Sequence, residues 1–328
     1  MIPLIKTKTT IKEEEKYTSQ EKQDIAFNIK PISLEKATED FKKLQTIDLT
    51  NISSRCLIGN DVVDYFTFVE RLNTKGKYNA NFYDFLWNIE EFKKKKFIQN
   101  MLTYYETTKN KNNTKNQYIV YKEVYNICIS AINIFRPIIA MEIYTRFKPT
   151  SILDFTCGWG GRLVGACALN IPRYIGIDIN QNLKPCYEKM VGFLQEPEED
   201  QTLLSTTDIP LTKKTDIQIF IQDALTFDYQ NIEYDMVFTS PPYFSLEKYS
   251  FNTVYESKEE MKNAFYIPLF QKTFQYLKEG GHYCLNVNQE IYSEICIPLF
   301  GEATYEIPLK KSKRQNNYSE SIYVWTKE

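Results

Sequence analysis

The sequence predicts an α/β protein, a mostly parallel, seven-stranded sheet wrapped by helices and ending in an antiparallel hairpin, behind a mainly helical N-terminal region. Three observations predict it. From residue 151 onward, five short β-rich runs alternate with helix-length segments, which is the rhythm of a parallel sheet with crossover helices. The last two runs, ATYEIPL and SIYVWTK, have no helix between them and read as a hairpin at one edge. Residues 1 to about 115 lack this rhythm and mix charged runs with aromatic clusters.

Composition bounds what such a fold can be. At 328 residues, 43% hydrophobic and 15% aromatic, the chain can bury a large core in one or two domains. The net charge of -2 gives no global attraction to a polyanion, so a nucleic-acid partner must be held by a local patch. The seven cysteines (Cys56, Cys128, Cys157, Cys167, Cys186, Cys284 and Cys296) are scattered and form no C-x-x-C pair, and His282 is the single histidine. That argues against a disulfide framework and against a metal site. The start, MIPLIKTKTTIKEEEKYTSQ, has no apolar run of signal-peptide length, and no segment approaches a membrane span; an intracellular protein without membrane association is expected.

Taken in order, the first twenty residues are polar enough for a mobile tail. FYDFLWNIEEFKKKKFIQNMLTYYE places Phe85, Leu86, Ile89, Phe92, Phe97 and Met101 at roughly helical spacing, and Lys93 to Lys96 can pair with Glu90 and Glu91 on that helix. TTKNKNNTKNQ, residues 107–117, has no apolar residue and reads as a linker. The expected division is therefore an accessory region at 1–117 and a sheet domain at 118–328. YIVYKEVYNICISAINIFRPIIAMEIYTRFKP supports one or two apolar helices, with Pro137 starting or kinking the second. The strands then follow as SILDF, RYIGIDI, DIQIFI, YDMVFTS and HYCLNV.

In such sheets, ligands sit at the carboxyl ends of the strands. After the first strand comes DFTCGWGGRL, where Gly158, Gly160 and Gly161 are expected to let the backbone approach a ligand beside the start of a helix. Asp178 ends the second strand, placed for ribose hydroxyls, and Asp223 follows the third, placed for an adenine amino group. Asp154, ahead of the glycines, suits a cationic amino-acid group better than a pyrophosphate. The glycines read G-W-G-G rather than G-x-G-x-x-G, so the acids describe S-adenosylmethionine better than a dinucleotide. Trp159 either lines that pocket or plugs the corner.

At the end of the fourth strand stands TSPPYF, Thr239 to Phe244. Consecutive prolines end a ladder. Tyr243 can stack on a flipped base, while the Ser240 side chain and the Pro241 carbonyl accept from an exocyclic amine. Two acceptors would draw that conjugated, poorly nucleophilic nitrogen toward tetrahedral geometry and aim its lone pair in line.

LDFTCGWGGRL, YIGIDIN, IQDALTF and FTSPPYF together resemble the class I S-adenosylmethionine-dependent methyltransferases that act on exocyclic amino groups of nucleobases, across about the last two hundred residues. The resemblance implies a Rossmann-like fold with S-adenosyl-L-methionine as cofactor. It implies cofactor-binding roles for Asp154, Thr156, Gly158, Trp159, Gly160, Gly161, Asp178, Asp223 and Ala224, and catalytic roles for Ser240, Pro241, Pro242 and Tyr243. In the family, the serine form of the motif is commonest in cytosine-N4 enzymes, whereas the order here, glycine corner first, agrees with a large group of adenine-N6 enzymes. A DNA amino-methyltransferase is expected, adenine-N6 ahead of cytosine-N4. An RNA base methyltransferase (adenine-N6 or guanine-N2) and a catalytically silent binding module of the same fold are the alternatives.

Substrate contacts are expected from Phe244 and from the basic loop of Lys310, Lys311, Lys313 and Arg314, which would meet phosphates. Glu247 and Tyr249 in the loop after Phe244 are structural or substrate-positioning. Arg136 either reaches the methionine end of the cofactor or caps its own helix. Tyr174 and Tyr187 read as core or surface aromatics, and Asp235 as a solvent-facing strand end.

Overall fold

The computed structural model describes residues 16–50, 52–53, 55–196, 214–243, 255–309 and 320–328. Two compact units emerge, one from residues up to Pro31 with Lys77–Ser130, the other from Ile32–Gly76 with Ala131–Glu328. Residues 32–76 thus belong with the sheet, and residues 118–130 with the helical unit.

The first unit holds α1 (Ser19–Ile29) and, after the excursion through α2 (Leu34–Thr46) and α3 (Asn60–Asn73) of the second unit, α4 (Phe82–Trp87), α5 (Ile89–Lys93), α6 (Lys96–Tyr104) and α7 (Gln117–Cys128). Thr18 and Glu21 form a reciprocal capping box at α1, and Asn81 and Asp84 another at α4. The expected single helical stretch is broken. Asn88 leaves helical geometry, and Lys95 is extended at φ -79, ψ 108, which resets the helical phase. Phe85 and Phe92 consequently stay buried, whereas Ile98 and Leu102 take the inner positions of α6 and Phe97 turns outward, 59% exposed. The core is aromatic: Phe82 and Phe85 pack against Tyr125, whose hydroxyl donates to the Ala80 carbonyl at 3.1 Å, and Phe92 packs on Phe85.

The polar tract expected as a linker is instead a closed turn inside this unit. Buried Asn110 donates to the Lys115 carbonyl and accepts from the Lys115 amide, both at 2.8 Å. Of the expected N-terminal tail, residues 1–15 lie outside the described residues, and Ser19 already begins α1.

The second unit continues with α8 (Pro137–Phe147), β1 (Ser151–Asp154), α9 (Gly161–Ala168), β2 (Arg173–Asp178), α10 (Lys184–Gln195), β3 (Asp216–Ile221), β4 (Met236–Thr239), α11 (Lys258–Met261), α12 (Ile267–Gln275), β5 (His282–Asn288), α13 (Gln289–Ile291), α14 (Ile297–Phe300), β6 (Tyr305–Pro308) and β7 (Glu320–Thr326). Pro137 starts α8, where its missing N–H costs nothing. The seven strands run in the order β3-β2-β1-β4-β5-β7-β6. All neighbours are parallel except β7, which is antiparallel to both β5 and β6. The fold is the expected seven-stranded, mostly parallel α/β architecture.

Alternation builds a core on each face. Ile152, Tyr174, Met236 and Cys284 face α8 and α9 with Val62, Val63 and Leu44 of the N-terminal helices; Leu153, Ile175, Val237 and Leu285 face Leu269 and Phe270 of α12. Order reverses at β1, which pairs with β2 on one side and β4 on the other, so a crevice opens at the carboxyl ends of these strands. Asp235 corrects its expected role. It is half-buried and ties two strands together at their start, accepting from the Thr150 amide at 2.9 Å, the Ser151 amide at 2.9 Å and the Thr150 hydroxyl.

Candidate active site

The corner after β1 divides its glycines between two uses. Gly160, at φ +83, and Gly161 are packing positions: a Cβ on Gly160 would lie 2.8 Å from Met190 Sδ, and one on Gly161 only 1.8 Å from the Phe135 carbonyl. Met190 of α10 and the segment ahead of α8 therefore fill the space where these two were expected to admit a ligand. Gly158, at φ +57, is different. A Cβ there would meet nothing closer than the Thr156 carbonyl at 3.8 Å, so its outer side is free for a ligand.

Gly158 is held from two directions. Its amide donates to Asp178 Oδ2 at 2.8 Å, and its carbonyl accepts from the Tyr187 hydroxyl at 2.9 Å. Asp178, half-buried at the end of β2, also accepts from the Asn180 amide at 2.9 Å. Burial pushes its carboxyl above its ordinary value, against the pull of the Asn180 and Gly158 amides. Asn180 and Asn182 are in turn anchored by Glu70 Oε1 of α3, at 3.4 and 3.1 Å. After β3, half-buried Asp223 caps the turn through Oδ1, which accepts from the Leu225 amide at 2.9 Å, beside buried Ala224.

Asp154 corrects its expected role. Its carboxylate is fully buried and fully used: it accepts from Arg162 Nε at 2.6 Å and Nη2 at 3.0 Å, from the Tyr174 hydroxyl at 2.6 Å and from the Thr239 hydroxyl at 2.8 Å. No lone pair is left for a cofactor amine. Burial pulls the Arg162 guanidinium down, but Asp154 outweighs it and holds the group charged. Tyr174 is thus a buried donor, and Tyr187 a buried brace of Gly158. Trp159 is 7% exposed within the core that includes Met190 and Tyr187, which is the plug reading. Thr156 does not reach outward either: its hydroxyl lies 2.6 Å from that of Thr239, and its carbonyl accepts from Arg162 Nη2 at 2.7 Å. Arg136 donates to the Cys56 carbonyl at 3.1 Å and is half-buried at the start of α8.

The Ser-Pro-Pro-Tyr corner stands at the end of β4, with β1 lying between β4 and β2. It is clamped by a residue the motif reading missed. Asn286 on β5, 4% exposed, donates from Nδ2 to Ser240 Oγ at 2.9 Å and to Tyr243 Oη at 3.1 Å. The Tyr243 hydroxyl donates to the Asn286 carbonyl at 3.3 Å, and the Tyr266 hydroxyl donates to the Pro242 carbonyl. Asn286 Oδ1 has no hydrogen-bond partner among the described residues although it is buried. Phe244, Glu247, Tyr249, Lys310, Lys311, Lys313 and Arg314 lie outside the described residues.

The residues present fit the nucleoside end of S-adenosylmethionine: a glycine with clear space outside it, the half-buried carboxylate of Asp178, and a second carboxylate at Asp223 whose Oδ2 has no partner among the described residues. Asp154 does not serve its amino-acid end.

No protein-family model and no curated protein matches the chain. Among solved structures it is similar to an rRNA methylase from Streptococcus thermophilus (11% identity over 60% of this chain and 100% of that one, TM-score 0.38). It is similar also to a TehB-like SAM-dependent methyltransferase from Corynebacterium glutamicum (10%, 63% and 94%, TM-score 0.37) and to TrmN from Thermus thermophilus (13%, 58% and 49%, TM-score 0.37).

Proposed function

We propose that this chain is a nucleic-acid methyltransferase that uses S-adenosyl-L-methionine to methylate the exocyclic amino group of a nucleobase, with DNA as substrate and adenine-N6 ahead of cytosine-N4. One observation carries the reading. At the reversal point of the sheet, Gly158 after β1 and Asp178 at the end of β2 form a glycine-carboxylate corner suited to a nucleoside, and a rigid Ser-Pro-Pro-Tyr corner follows β4 on the other side of β1.

When bound, S-adenosylmethionine supplies a methyl group already activated on a sulfonium. The chain has then to position the amine. Ser240 Oγ receives one hydrogen bond from Asn286, which fixes its direction and leaves a lone pair for the substrate N–H. The Pro241 carbonyl is the second acceptor, and Tyr243, pinned at its hydroxyl from both sides, offers a ring that cannot swing away from a stacked base. A strong base is not required, because the amine loses its proton late. Thr239 links the two corners by bonding both Asp154 and Thr156.

The test is incubation with methyl-labelled S-adenosylmethionine and, separately, mixed-sequence DNA, RNA and total protein, followed by mass spectrometry of nucleosides and residues. Methyladenine or N4-methylcytosine from DNA is the expected product. A methylated base from RNA alone would move the substrate, and labelled protein alone would overturn the reading. Tyr243→Ala is expected to lower turnover by the value of one base stack, about 1–3 kcal/mol, with cofactor affinity kept.

A further inference from the structure

The helical unit differs from the rest of the chain in charge and in surface. Although the whole chain is at -2, the described residues of this unit hold twelve lysines against seven acidic side chains and no arginine. Among the described residues, six of its aromatics are also exposed, namely Phe27, Tyr78, Trp87, Phe97, Tyr104 and Tyr118, against two, Tyr65 and Tyr305, in the far larger second unit.

Lysines and rings converge on α6 and its approach. Lys93 and Lys94 are neutralised by Glu90 and Glu91 at 2.7 and 2.6 Å, as their spacing predicts. Lys95 and Lys96 have no carboxylate partner among the described residues, and Lys95 Nζ sits 4.5 Å over the exposed ring of Tyr78. With Ile98 and Leu102 buried, the outward face of α6 presents Lys96, Phe97, Asn100, Thr103 and Tyr104. None of these is acidic. Phe97 and Tyr104 lie seven residues apart, two turns along the same side. An ordinary solvated helix face carries lysines with carboxylates and few rings. This one carries two ammonium groups without a carboxylate partner among the described residues and two large rings about half exposed.

We propose that this face of α6, with Tyr78 and Lys95, binds a single-stranded segment of nucleic acid. Rings stack on bases without regard to sequence, and ammonium groups meet phosphates; that combination fits an unpaired strand better than a duplex, whose bases are already stacked. An acidic protein would satisfy the lysines but leave the rings without a reason. Binding of this kind is independent of methyl transfer and is read without turnover.

The test uses the full chain and fluorescein-labelled 20-mer single strands of DNA and RNA, with the matching duplexes, in anisotropy titrations at several salt concentrations. Lys95→Glu with Lys96→Glu is expected to weaken single-strand binding about tenfold or more and to flatten the salt dependence, by roughly 0.7 in log-log slope for each phosphate no longer neutralised. Phe97→Ala with Tyr104→Ala is expected to weaken it about fivefold or more with the slope unchanged. Melting temperature and S-adenosylmethionine affinity should stay at the parent values in both; if either double variant melts early, Lys96→Glu and Tyr104→Ala alone carry the test. Parent-like binding by both variants, a slope change without any effect of the rings, or tighter binding to duplex would each overturn the proposal. A chain that methylates bases yet ignores these substitutions sinks the surface and leaves the transfer reading standing. One that methylates nothing but loses the oligonucleotide does the reverse.

Discussion

Asp154 and Asp178 look alike in the sequence, each an acid at the end of a strand, yet the fold gives them opposite tasks. Asp154 points into the sheet against Arg162, which is 3% exposed, and removing either partner would leave the other charged and buried. Asp154→Ala and Arg162→Ala are each expected to cost about 3–5 kcal/mol in urea unfolding. A cofactor role for Asp154 would instead show as lost affinity at unchanged stability. Asp178 keeps a side free, and burial holds its carboxyl above its ordinary value, so it takes up a proton earlier on acidification than a free aspartate. In the proposed site, protonation weakens the acceptor that Asp178 offers to a ribose hydroxyl. Calorimetry from neutral pH down toward about 4 should therefore find S-adenosylmethionine affinity falling before ordinary carboxylates titrate. In Asp178→Asn the affinity should be lower throughout and the pH step absent; an unchanged step would remove Asp178 from the site. The same contrast marks what the sequence could convey. Position at a strand end was legible for both acids, but side-chain direction was not, because the partner that claims Asp154 lies eight residues on in a helix whose approach no local pattern encodes.

Elements show a similar division. The glycine-padded corner and the prolines after β4 were legible because backbone demands are local: positive φ at Gly158 and Gly160, and a ladder ended at Pro241. What each glycine makes room for was not. Gly161→Ala would drive a Cβ into the Phe135 backbone carbonyl and is expected to abolish the folded state or lower its melting temperature severely. Gly158→Ala meets no neighbour, so it should cost only the left-handed strain, roughly 1–2 kcal/mol, while its methyl blocks the ligand side and cofactor affinity drops further than stability. Melting curves paired with calorimetry separate the two; equal effects would mean that both glycines merely pack. Asn286 was invisible for another reason. It sits in HYCLNVN as one polar residue of a buried strand, and only strand pairing places it beside Ser240. Asn286→Ala removes both donations to the corner and is expected to cut turnover by the equivalent of about 1–3 kcal/mol with cofactor affinity intact. A parallel loss of affinity would make it a general packing residue.

At the scale of the whole molecule, alternation of strand and helix announced the sheet, while the ownership of the N-terminal segments stayed hidden, since a polar tract reads as a boundary wherever it lies. The unit containing the sheet takes α2 and α3 from before that tract, burying Leu44, Val62 and Val63 against α8 and α9. A chain beginning at residue 118 would expose that surface and is expected to be insoluble or to lack a cooperative melt. The helical unit begins its second segment with the Lys77 amide donating to the Ile129 carbonyl at 3.3 Å, so Gly76 and Ala131, each one or two residues away, lie close together. Excising residues 77–130 and joining Gly76 to Ala131 through a short Gly-Ser linker, in a chain that starts at Ile32, should therefore leave both faces of the sheet covered and add little loop-closure cost. That chain is expected to melt cooperatively and to bind S-adenosylmethionine as the parent does, because Gly158, Asp178, Asp223 and Glu70 are all retained. It should lose the oligonucleotide affinity assigned to α6. Failure to fold would mean that the two units are stable only together; folding with oligonucleotide affinity unchanged would return nucleic-acid binding to the sheet unit alone.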